Sequence, residues 1–162
     1  MKRLIPYAAY LYLIAIHQEL TSSLLAVHEV HVNLTALIVS LVALYKDDYE
    51  AMWFGFAAGI VFSAGTAPWI GWYALVLSLI AVVISRVKFR LNMDSVYARL
   101  LVVAGAVLAH EILLTVQLGQ AEFYWKLLTV ALPSTVYTSL WAWLFFKIKD
   151  GKITWARVKE LF

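Results

Sequence analysis

Two apolar runs within residues 49–86 constrain this chain more than any other feature. They flank Gly65-Thr66-Ala67-Pro68, and each is about long enough to cross a ~30 Å hydrocarbon core at ~1.5 Å per residue. The first run carries small residues at strict four-residue spacing, Ala51, Gly55, Gly59 and Ser63. On a helix this spacing draws one smooth stripe, along which a second backbone can lie close. Glycine is common in membrane helices, but four small residues in register predict a packing or partner interface. The spacing predicts a helical hairpin around which the other helices are laid.

The rest of the chain has the same character. Its 162 residues are 64% hydrophobic and 14% charged, with a mean hydropathy of +0.82. A soluble domain of this size carries about 25% charged residues. The composition predicts an all-α, polytopic membrane protein in a single domain spanning residues 1–162, with almost nothing outside the bilayer. The absence of cysteine excludes disulfides, thiolate metal sites and thiol nucleophiles.

Apolar runs bounded by polar breaks predict six transmembrane helices at about 4–27, 32–45, 49–66, 68–86, 97–118 and 123–146. A basic tail follows over 147–162. The first run lacks a cleavage-site pattern and reads as an uncleaved span. The second is short for a span. Pro133 lies inside the sixth, where it removes a backbone donor and predicts a kink, with Ser134, Thr135, Thr138 and Ser139 placed to serve the freed carbonyls.

Six spans put both termini on one side. Of the 13 Lys and Arg residues, all but Lys126 fall at the N-terminus, the 2–3 loop, the 4–5 segment or the tail. That is the positive-inside pattern, and it predicts cytoplasmic termini. The net charge of +3 is thereby explained by topology, with no nucleic-acid partner and the lipid bilayer as the surroundings.

Chemical motifs are incomplete. His110-Glu111-Ile112-Leu113-Leu114 begins like the H-E-x-x-H of a zinc protease, but Leu114 stands where the second histidine must be. His28-Glu29-Val30-His31-Val32 fails in the same way, and no nucleophile elbow surrounds Ser63. The sequence predicts no enzyme, no catalytic residue, no metal site and no cofactor. What remains is a set of ionisable groups inside apolar runs: His17, Glu19, His110 and Glu111. Such groups are costly in a membrane and have a partner or a role, either as polar glue between helices or as the lining of a pocket. His17 and His110 each lie thirteen residues into a span, ~20 Å from the inner face. Equal depth predicts that His110 or Glu111 faces the interior and pairs across to the first helix, with His17 and Glu111 the pair to test.

In Gly55-Phe56-Ala57-Ala58-Gly59 and its continuation through Gly71 to Trp72-Tyr73-Ala74-Leu75, the chain resembles MreD, the inner-membrane component of the bacterial rod-shape (elongasome) complex. Asn33-Leu34 to Leu44 and Leu132-Pro133-Ser134-Thr135-Val136-Tyr137 extend the resemblance. It implies a non-enzymatic scaffold of the bacterial cytoplasmic (inner) membrane, needed for cell shape. Such a scaffold binds a bitopic MreC-like protein and links MreB filaments, RodA and a penicillin-binding transpeptidase to peptidoglycan synthesis in the cell wall. Many members carry an acidic residue where this chain has Ser63, so a role for a carboxylate there does not carry over. The family also resembles the substrate-capture subunits of energy-coupling-factor transporters, which gives the alternative of a small-molecule-binding subunit. The A-x-x-x-A docking face of those subunits is absent from the first helix, where Ala8 is followed by Tyr12 and Ala15 by Glu19.

Overall fold

The computed structural model describes residues 5–18, 30–64, 69–91, 93–117 and 123–150. Glu19, the end of the first apolar run, His28 and Glu29, the 65–68 hinge and the tail beyond Asp150 lie outside these residues. The described chain is all-helical: α1 (Ile5–Ile16), α2 (Leu34–Tyr45), α3 (Asp48–Phe62), α4 (Ile70–Val87), α5 (Val96–Gln117) and α6 (Phe123–Lys149). By length and apolarity α4, α5 and α6 can each cross a membrane, whereas α1 and α2 are shorter apolar helices.

One of these two shorter helices, α2, holds the centre. In α2, Thr35 through Ser40 are all buried, as are Val42 and Ala43. A helix apolar on every side belongs in a core, and α2 packs on every other helix of the bundle. The expected organiser, the α3–α4 hairpin, is one wall around this pillar rather than its axis. Leu77, Ala81 and Ile84 of α4 meet Val39, Val42 and Ala43 of α2 in the main core cluster, with Ala51, Phe54 and Ala58 of α3. A second cluster joins Ala36 and Leu37 to Val103 and Val107 of α5 and to Ala142 and Phe146 of α6.

The α3–α4 wall is backbone on backbone. A methyl added at Gly55 would sit 2.6 Å from the Leu77 carbonyl oxygen. One added at Gly59 would sit 2.5 Å from both the Ala74 amide nitrogen and the Tyr73 carbonyl oxygen. Real side chains do not approach so closely, so both positions require glycine. Ala51 completes the stripe within α3, but Ser63 does not. It follows the helix in a turn and caps it, its hydroxyl donating to Gly59 O at 2.7 Å and Ile60 O at 3.1 Å.

Around Pro133 the helix widens. Leu127–Ala131 form a π-turn in which the Leu132 amide reaches back to the Leu127 carbonyl. The missing proline donor is thus absorbed by a local change of pitch immediately before it. Of the four hydroxyls expected to serve freed carbonyls, Thr135 donates within its own helix to Ala131 O at 2.8 Å, a carbonyl that the proline does not free. Ser134 and Thr138 instead face the segment that enters α2.

Candidate functional site

Where the chain enters α2, Asn33 collects the buried polar groups. Its side-chain oxygen accepts the Ala36 amide at 2.9 Å, which caps the helix and explains its start. The side-chain nitrogen donates to Glu111 Oε1 at 2.7 Å and to His110 Nδ1 at 2.8 Å, using both amide protons. Its backbone amide donates to the Thr138 hydroxyl at 2.9 Å. One residue therefore ties α2 to α5 and α6, and every hydrogen-bonding group named is buried.

His31 and His17 extend the cluster. The His31 amide donates to Ser134 Oγ at 3.3 Å, and its ring nitrogen lies 3.7 Å from Glu111 Oε1. His17 Nε2 donates to the Val32 carbonyl at 3.0 Å, so α1 is held to the same extended segment. His17 and Glu111 thus meet residues 31–33 from opposite sides; the described partners of Glu111 are Asn33 and His31, rather than the expected His17. Accepting at Nδ1 places the His110 proton on Nε2, which is buried and has no hydrogen-bond partner among the described residues. The Phe62 ring stands nearly perpendicular to that imidazole, with centroids 5.6 Å apart.

At the other end of the bundle the polar contacts are peripheral. Arg99 makes a two-point ion pair with Asp150, at 2.5 and 3.1 Å, and donates to Tyr45 at 3.0 Å. Its guanidinium lies over the Phe146 ring, 4.9 Å from the centroid. Tyr7 donates to Glu50 at 2.5 Å, Arg86 pairs with Asp48 at 3.5 Å, and Lys88 donates to the Ala43 carbonyl at 3.1 Å and to the Lys46 carbonyl. These bonds tie the start of α1 and α5 to the α2–α3 corner and the ends of α4 and α6.

The model of one family, the rod shape-determining protein MreD, matches residues 1–149. The chain belongs to the MreD family. No curated protein and no solved structure matches it. MreD proteins are shape-determining membrane proteins and not a known family of enzymes. In this MreD chain the family-like Gly55 and Gly59 are the two positions that α4 backbone leaves no room to substitute. Ser63, standing where many MreD sequences are acidic, is a buried helix cap. Among the described residues, no group of three or more His, Cys, Asp or Glu could hold a metal ion. Pro133 is half-buried beside the π-turn.

Sequence reasoning singled out His17, His110 and Glu111 but missed Asn33, the residue that joins them. An asparagine one residue before an apolar helix is an N-cap signal, and it stood at position 33. Arg99 was missed as well, counted only among the topological charges. Its signal was a basic residue inside the first turn of an apolar helix, where it needs a partner.

Proposed function

We propose that this chain is a non-enzymatic scaffold of the rod-shape machinery, crossing the bacterial cytoplasmic membrane six times with both ends on the cytoplasmic side. The family match over residues 1–149 carries this reading. The buried polar residues support it, because Asn33, Glu111 and Thr138 are occupied in fixing α2 between α5 and α6. The basic layer around Arg99, Lys46 and Lys88 forms the cytoplasmic end and agrees with the positive-inside distribution. In this reading α2 crosses only part of the bilayer as a helix. Residues 30–33 complete the crossing as irregular backbone, which a membrane tolerates where protein surrounds it.

The partners of the scaffold are a bitopic MreC-like protein and, through it or directly, MreB, RodA and a penicillin-binding transpeptidase. Affinity purification of the full chain from its own membranes in mild detergent tests this. Recovery of a bitopic cell-wall protein is the expected result. Recovery of an ATPase module without it would overturn the scaffold in favour of a small-molecule capture subunit. Reporter fusions after Lys46, Phe89 and Lys149 are expected to behave as cytoplasmic; an external signal after Lys149 would overturn the topology.

A further inference from the structure

A trench opens along α2 at the basic end of the bundle. Its floor is one face of that helix, Ile38, Leu41, Val42 and Tyr45, at the spacing that puts residues on one side. One wall is Pro6, Tyr7 and Tyr10 of α1, and the other is Phe145 and Lys149 of α6. The cavity measures about 380 Å³. A second compartment of about 460 Å³ adjoins it, sharing Pro6, Tyr7, Tyr45 and Lys46 and adding Asp47 and Glu50.

The two compartments differ in chemistry. The first is apolar along its length and ends at two ammonium groups, Lys46 and Lys149. The second sets two carboxylates beside Lys46. Asp47 is exposed and, although it stands before α3, makes no side-chain capping bond. Glu50 already accepts from Tyr7 and lies 3.9 Å from Lys46. A purely anionic headgroup would meet the lysines but also the carboxylates. A choline headgroup could neutralise the carboxylates but has no proton to donate to them.

We infer that this trench binds one aminophospholipid of the phosphatidylethanolamine type. An acyl chain lies along Ile38, Leu41 and Val42, with the phosphate at Lys46 and Lys149 and the primary ammonium at Asp47. Two cations beside two carboxylates match a zwitterion that carries both a phosphate and an N–H donor. The wall tyrosines give the amphipathic surface that suits the level where lipid tail meets headgroup. The inference is independent of the partners of the scaffold, since it concerns the bilayer side of this chain alone.

The full chain, stripped of lipid in detergent, is titrated with short-chain phosphatidylethanolamine, phosphatidylglycerol and phosphatidylcholine, and bound lipid is counted by native mass spectrometry. One phosphatidylethanolamine is expected per chain, bound up to about fivefold more tightly than the other two, the worth of one exposed charge contact. Asp47→Asn should abolish that preference, and Lys149→Ala, which removes a cation from the phosphate that all three lipids share, should weaken their binding alike. Lys147→Ala, which lies outside the trench lining, should leave binding intact. Leu41→Trp should block binding by filling the floor, with a circular-dichroism melt confirming the fold; if it does not fold, Lys149→Ala and Asp47→Asn decide. Preference for phosphatidylglycerol would overturn the inference in favour of simple anion attraction. Equal binding of all three, or equal loss in the Lys147 variant, would overturn it as non-specific adsorption.

Discussion

The two ends of the bundle spend similar polar chemistry in opposite ways. Near Asn33 all but the His31 side chain are buried: His110 is fully enclosed, and Glu111 is 4% exposed. Near Lys46 they stand at the rim, where the Arg86 side chain is 76% exposed and that of Lys46 is 47% exposed. A buried donor or acceptor that loses its partner has nowhere else to turn, whereas a rim charge exchanges a partner for water. Similar polar groups therefore give a rigid joint at one end and an adaptable collar at the other. Arg99 is the intermediate case, 7% exposed itself but paired with an Asp150 carboxylate that water still reaches.

The strongest test of this contrast uses the wall that connects the ends. Gly59→Leu is expected to prevent recovery of folded protein, measured as the monodisperse fraction after detergent extraction. Overpacking costs about 1–3 kcal/mol where neighbours can move, and here the neighbours are backbone. Leu at the off-stripe Val61 should be tolerated; equal tolerance at both positions would reduce the stripe to composition.

Asn33→Leu comes next, with an expected loss of about 2–4 kcal/mol in thermal or denaturant unfolding, because it removes the hydrogen-bond donor to the buried Glu111 carboxyl group and the cap of α2 together. A double-mutant cycle sharpens the point. Asn33→Leu with Glu111→Leu should show coupling of about 1–2 kcal/mol, and His17→Leu with Glu111→Leu much less, since the latter two meet only through residues 31–33. Coupling confined to the second cycle would break the account of the joint.

At the rim, Arg99→Lys should lose about 1 kcal/mol by giving up the two-point geometry with Asp150. The smallest effect is assigned to Arg86→Ala, within about 0.5 kcal/mol, and it should vanish as salt is raised. A salt dependence of the Asn33 variant as steep as that of the rim variants would erase the distinction between the ends.

Much of the helical architecture was legible from apolar run length, and the close approach at Gly55 and Gly59 from four-residue spacing alone. Element ends were displaced where capping decided them: Asn33 starts α2 two residues later than periodicity suggested, and Ser63 ends α3 before the small-residue pattern does. The centrality of α2 was hidden because shortness reads as a weak span, while packing against every other helix is a tertiary fact. The sequence predicted a matching depth for His17, His110 and Glu111, yet depth does not reveal which backbone lies between two helices. Asn33 filled that gap, and its role depends on residues 77 and 105 positions away.

That separation has a consequence for how the chain is made. Consecutive helices α3 and α4 can zip together as soon as both have left the ribosome, since their contact needs nothing from elsewhere. Asn33 must wait for His110, 77 residues later, which at 5–20 residues per second is about 4–15 s of synthesis. During that interval its free amide favours the aqueous surface or the insertion machinery over lipid. Residues 30–33 are therefore drawn to their final depth late, when α5 and then α6 arrive to receive them. The nascent chain closes from its middle hairpin outward, and the joint that holds α2 is among the last parts to set.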